Sequence, residues 1–116
     1  MIILFTGHRD KFMIASTLET LAKVYANDIW LHGGAMGFDM QVSKYARQHS
    51  IQQRIIRPDY DTYSSKQAPI IRNKQMVDMC NIVIACYDGR LTGGTKFTVD
   101  YARKNGKIVM LFNPAE

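Results

Sequence analysis

The chain has 116 residues, 47% of them hydrophobic and 22% charged, which suits one domain, residues 1–116, around one core. No apolar run approaches the ~20 residues of a membrane span, and the opening MIILFTGHRD lacks the basic region of a secretory leader, so a cytoplasmic location without a membrane partner is expected. The net charge of +5 favours anionic partners, yet the fifteen lysines and arginines are scattered, and no block of like charge marks a nucleic-acid tail.

Taken in chain order, IILFT (Ile2 to Thr6) is a short unbroken apolar run closed by Gly7, the pattern of a strand buried on both faces. From Phe12 to Ala26, Met13, Leu18, Leu21, Ala22 and Tyr25 recur near the helical period and predict an amphipathic helix. IWLH (Ile29 to His32) predicts a second strand, and Phe38, Val42, Tyr45 and Ala46 the inner face of a second helix. A third strand falls around Arg54 to Ile56, stopped by Pro58. The irregular segment Asp59 to Pro69 is expected to cover the edge of a site, and a helix follows from Ile70 to Met79. NIVIACY (Asn81 to Tyr87) is a further buried strand. Its Cys86 and the preceding Cys80 have no CxxC or Cys/His spacing and read as core thiols, not zinc ligands. Phe97, Tyr101 and Ala102 mark a helix that stops at Asn105-Gly106, and KIVMLF (Lys107 to Phe112) is the last strand.

Strands alternating with helices of this length predict an α/β, Rossmann-like fold: three αβα layers around a mainly parallel five-stranded sheet. Such sheets bind ligands beyond the carboxyl ends of their strands. The loops at that edge are TGHR, HGGAMGFD and DGRLTGGT.

In TGGTKFT, Gly93 and Gly94 let backbone approach an anion closely. Thr95 reads as the helix cap, and the amides behind it form a ready anion site. A plain tight turn without a ligand is the competing reading. HGGAMGFD offers Gly33 and Gly34 for a tight turn and Gly37 for close approach of the helix. Asp39, in the first helical turn, either complements the helix dipole or accepts from a ribose hydroxyl. The pattern is not GxGxxG. After the first strand, Thr6, Gly7, His8 and Arg9 could meet a ligand. Arg9 would grip a phosphate through its planar fork, and His8 would bond either a ligand or its own loop. Asp88 and Gly89 open the fourth-strand loop. Arg72 and Asn73 stand at the predicted start of a helix, where the dipole disfavours an arginine, so Arg72 has either a specific partner or a surface salt bridge. These motifs imply no metal and no cofactor.

In this order, TGHRD, HGGAMGFD, RPDYDTY, QAPIIRNKQMVD, IACYDGRLTGGT and YARKNGKIVML resemble the SLOG superfamily nearly end to end. That group includes the Lonely Guy phosphoribohydrolases and the DprA/Smf DNA-processing proteins. The likeness is nearest to its small single-domain YspA/YpsA-related branch of bacteria and phages. The resemblance implies a nucleotide or nucleotide-derived ligand at the strand ends. It matches Arg72 to the catalytic arginine of the Lonely Guy enzymes and Gly93, Gly94 and Thr95 to their phosphate loop. It also implies a homo-oligomer assembled through helices beside the site. The family glutamate falls on Thr98, which cannot ionise, a departure that weakens N-glycosidic cleavage and leaves binding intact.

Three functions are therefore carried forward. The first is a sensor or accessory protein that binds a phosphate- and ribose-bearing ligand. The second is a nucleoside-monophosphate phosphoribohydrolase, an N-glycosidic hydrolase in which Arg72 orients the substrate and Asp39 or Asp100 replaces the glutamate. The third is single-stranded nucleic-acid binding with Tyr60, Tyr63 and Trp30 as stacking candidates, although Trp30 reads more simply as a core strand residue.

Overall fold

The computed structural model describes all of residues 1–116. Its strands are β1 (Ile2–Gly7), β2 (Ile29–His32), β3 (Gln53–Ile55), β4 (Ile82–Cys86) and β5 (Ile108–Phe112), alternating with helices α1 (Ala15–Val24), α2 (Phe38–Gln48), α3 (Gln67–Met79) and α4 (Gly94–Lys104). The sheet is entirely parallel, in the order β3-β2-β1-β4-β5. The strand order therefore reverses between β1 and β4, and the crevice beyond their carboxyl ends is where a doubly wound sheet receives a ligand.

Two buried clusters make the layers. On one face, Leu18, Leu21 and Ala22 of α1 and Phe38, Val42 and Ala46 of α2 pack on Ile3, Phe5, Trp30 and Ile84. On the other, Met76 and Val77 of α3 and Ala102 of α4 pack on Leu4, Leu31 and Val83. The aliphatic and aromatic runs of the central strands are buried on both sides because a helix pair covers each. Trp30 is fully buried, with its ring 4.3 Å from that of Phe5. Cys80 and Cys86 are both buried free thiols, and burial pushes the Cys86 thiol up to about 11. No helix is long and apolar enough to cross a membrane.

Three boundaries differ from the sequence pattern, each for a local reason. The first helix begins at Ala15, not Phe12, because Gln41 engages Met13 in both directions: its Oε1 accepts from Met13 N–H at 2.8 Å and its Nε2 donates to Met13 O at 2.9 Å. The third begins at Gln67, so Pro69 lies inside the first turn, where its missing N–H is harmless. Arg72 is consequently a turn deeper in the helix than the sequence suggests, and the dipole argument for it fails. The fourth helix is capped by Gly93 at φ 110°, not by Thr95, with no side-chain cap bond.

Candidate functional site

A cavity of about 440 Å³ opens at the β1–β4 crevice. Its floor is the end of β1 (Phe5, Thr6, Gly7), and Pro69, Arg72, Asn73 and Met76 of α3 form one wall. Gly93, Gly94 and Thr95 at the start of α4 face it, with Ala35 and Asp39 opposite and His8, Arg9, Asp10 and Arg90 around the rim. Ten of the sequence-derived site residues are thus brought together. Gly33, Gly34, Gly37, Asp88 and Gly89 do not line the cavity.

Four of those five, all but Gly89, have other contacts. His32, almost fully buried, accepts from Gly34 N–H through Nδ1 at 3.0 Å and faces Gln53 Oε1 through Nε2 at 2.8 Å. This fixes the turn after β2. A Cβ on Gly33 would lie 2.7 Å from Arg72 Cζ, and one on Gly34 would meet Arg57 and Ile55 side chains. At Gly37 (φ 74°) it would strike the backbone carbonyl of His8 at 2.7 Å. Asp88 and Gly89 belong to the loop above the rim.

Arg72 is 8% exposed. Its Nε donates to Asn73 Oδ1 at 2.8 Å, and its Nη1 donates to the carbonyls of Gly33 at 3.0 Å and Ile56 at 3.2 Å. One guanidinium thus ties α3 to the ends of β2 and β3, and Nη2 is left with no protein acceptor. A surface salt bridge, the alternative in the sequence, is not what it forms. Burial lowers the guanidinium's proton affinity, and the nearby Asp39 carboxylate works against that.

Asp39 is 8% exposed, and its Oδ2 accepts from Ala35 N–H at 3.1 Å. Burial raises its pKa above the usual carboxylate value, against the opposing pull of that hydrogen bond, His32 and Arg72. A carboxyl whose folded pKa is raised holds a proton that the unfolded chain has already lost, so stability falls as pH climbs from near 4 through the folded value. Asp39→Asn, which keeps an oxygen for Ala35, is therefore expected to be more stable than wild type at pH 7, with the gap closing towards about pH 3. Urea melts across that range check this. An Asp39→Asn protein weaker than wild type at every pH would instead give the greater weight to attraction between Asp39 and Arg72.

The start of α4 is an array of backbone donors without protein acceptors. Phe97 N–H bonds to Gly93 O at 3.0 Å, while the amides of Gly94, Thr95 and Lys96 ahead of it find no protein acceptor. Thr98, fully buried, donates its hydroxyl to Gly94 O at 2.8 Å and does not line the cavity. Asp100 pairs with Lys96 on the exposed face. Neither supplies an acid to the site, whereas Asp39 does.

Sequence reasoning missed Arg90. It holds Asp88 with a two-pronged grip, Nε–Oδ1 at 3.0 Å and Nη2–Oδ2 at 2.6 Å, and reaches Asp10 at 3.3 Å. This holds the Asp88 carboxyl far below its usual range. His8 is 6% exposed, and its Nε2 accepts from Asp88 N–H at 3.2 Å. The same nitrogen lies 3.1 Å from Asp88 Oδ1; burial, helped by Arg90, lowers the His8 pKa against the opposing pull of Asp88 and Asp10. His8 thus stitches β1 to β4 across the crevice. The signal for Arg90 is an acid two residues before it in the same loop, DGR.

The structure resembles the X-ray structure of DNA processing protein A (DprA) from Streptococcus pneumoniae, with a TM-score of 0.71 over 94% of this chain at 16% identity. The chain spans about half the length of that protein, covering 49% of it, and the likeness is one of fold. No curated protein matches the chain significantly in sequence. The family model for YspA, cpYpsA-related SLOG proteins matches residues 1–63, from β1 into the irregular segment after β3 and including His8, Arg9 and Asp39, and the chain belongs to that family.

Proposed function

We propose that the cavity binds a nucleotide or nucleotide-derived ligand through its phosphate and ribose, in a sensing or accessory role. The observation that carries this reading is the convergence of donors. The free amides of Gly94 and Thr95, the guanidinium of Arg72, whose Nη2 has no protein acceptor, and the rim arginine Arg9 belong to residues that line one cavity of about 440 Å³, within the range of small-ligand sites. Arg9 belongs to none of the chain's ion pairs. A helix N-terminus with adjacent arginines favours a phosphate, and Asp39 across the cavity is an acceptor for ribose hydroxyls.

Calorimetric titration with AMP, ADP-ribose and cyclic nucleotides is expected to give dissociation constants between roughly micromolar and millimolar. A folded protein that shows neither heat nor a melting shift with any of them would defeat the proposal. The raised pKa and cavity position of Asp39 favour one second reading, N-glycosidic hydrolysis with Asp39 as the acid. It requires free base released from AMP by wild type and not by Asp39→Asn. The DNA in the structural neighbour's name makes a short single strand a further arm of the titration. Trp30 is fully buried and cannot stack, and Tyr60 and Tyr63, though exposed, lie outside the cavity lining. Binding by a strand would show itself by a steep loss of affinity with salt.

A further inference from the structure

The two edges of the sheet are unequally protected. β3 is three residues long, carries exposed Arg54 and is followed by Pro58, the features that keep an edge from pairing. β5 shares only the proline that follows it, Pro114, and is neither short nor charged. Its five residues, Ile108 to Phe112, are all apolar, and each retains exposure, with Ile108 at 62% and Leu111 at 45%. The segment after it does not cover the edge. It turns back towards α1, where Ala115 N–H bonds to Phe12 O at 2.8 Å and Pro114 bridges to Met13.

The register identifies the free groups. Phe112 O accepts from Tyr87 N–H, and successive residues of a strand point their backbone groups to opposite sides. Ile108, Met110 and Phe112 therefore bond to β4, while Val109 and Leu111 aim two N–H and two C=O groups outward.

We propose that this edge pairs with β5 of a second copy, antiparallel across a twofold axis at Met110, to form a continuous sheet of two five-stranded halves. In that register Val109 faces the partner's Leu111 and Leu111 the partner's Val109, so all four outward groups of each strand are satisfied by main-chain bonds. The side chains match as well. Ile108, the most exposed, meets the partner's Phe112 on the α1/α2 face, and Leu111 meets the partner's Val109 on the other.

Charge selects the same arrangement. The basic groups that lead into this edge, Arg103 and Lys104 at the end of α4 and Lys107, lie at the amino end of β5. An antiparallel partner places its own set at the opposite end. A strand without charge can lie against itself without like-charge repulsion, which makes a second copy the fitting occupant. The two cavities, at the carboxyl ends of the strands, then lie at opposite ends of the dimer, and each is complete within one chain.

Light scattering on the purified full chain is expected to give twice the 13.3 kDa chain mass at tens of micromolar. Val109→Pro removes an outward donor and no bond to β4, a change tolerated on an edge strand. It is expected to leave the melt cooperative and ligand affinity unchanged while weakening dimerisation by at least about tenfold. Met110→Cys is expected to give a reducible covalent dimer on mild oxidation. Opposed residues at such a non-hydrogen-bonded position lie ~4.5 Å apart at Cα, within disulfide reach, and the native thiols are buried. A monomeric wild type would point to a foreign strand or to none and overturn the proposal. So would a folded Val109→Pro protein that stays dimeric, or a dimer in which Met110→Cys does not cross-link. Should Val109→Pro fail to fold, the cross-link decides.

Discussion

Arg72→Ala is expected to lower the unfolding free energy by about 2–4 kcal/mol and to weaken nucleotide binding by roughly 10- to 100-fold. Both effects start from one guanidinium. Removing it leaves the carbonyls of Gly33 and Ile56 without the donor they share at 3.0 and 3.2 Å, and leaves Asp39 without its nearby cation. The vacated volume sits where α3 meets the ends of β2 and β3. Arg72→Lys is expected to recover only part of the stability, because one ammonium cannot reproduce the planar fork that serves Asn73 and two carbonyls at once. Urea unfolding and calorimetry read the two effects separately. An alanine variant as stable as wild type would mean that the burial cost of the cation offsets its bonds, and unchanged affinity would remove Arg72 from the ligand. Adding Asp39→Asn should soften the stability loss, since the acid no longer needs a counter-charge. The double-mutant cycle measures that coupling.

The fold is readable because its signals are local. Unbroken apolar runs at Ile2, Ile29, Asn81 and Lys107, with helical periodicity between them, dictate an alternating α/β chain. The glycines that close those runs point to the loops at one edge. The partners of Arg72 are not readable: Gly33 lies 39 residues away, and no spacing rule links a helix arginine to a carbonyl in another loop. The dipole reason for singling out Arg72 is mistaken even though a specific partner exists, because Pro69 reads as a helix boundary while it sits inside the first turn. Thr95 reads as the cap because threonine is a good one, while Gly93 at φ 110° turns the chain so that the helix starts one residue before the threonine. Arg90 escapes notice because its importance comes from Asp10, 80 residues distant, as much as from Asp88 beside it.

The glycines are the clearest case of one residue type with several jobs, and they yield the other large effect. Gly37→Ala is expected to destabilise by about 3 kcal/mol or more. Its φ of 74° is costly for an L side chain, ~1–2 kcal/mol by itself, and the new methyl would overlap main-chain carbonyl atoms of His8 and Arg9, which cannot move aside as a flexible side chain would. Relief would require α2 to separate from the loop after β1, breaking the Phe38 N–H to His8 O bond at 3.3 Å and unseating Phe38, which is fully buried. Gly93→Ala meets only the φ penalty, since nothing lies within 4 Å of its Cβ position, and about 1–2 kcal/mol is expected. Gly94→Ala has no positive φ, and its nearest neighbour is Asn73 Nδ2 at 3.6 Å, so stability should change by less than about 0.5 kcal/mol. Its methyl nevertheless enters the cavity beside the free α4 amides, where a phosphate would sit, and an affinity loss of about tenfold is expected there. Thermal melts and titrations on the three variants therefore separate scaffold from site: Gly37 should fail in folding and Gly94 in binding alone. If Gly94→Ala bound nucleotide as wild type does, the start of α4 would not be the phosphate site. Arg9 and Arg90 at the rim would then be the cations to test.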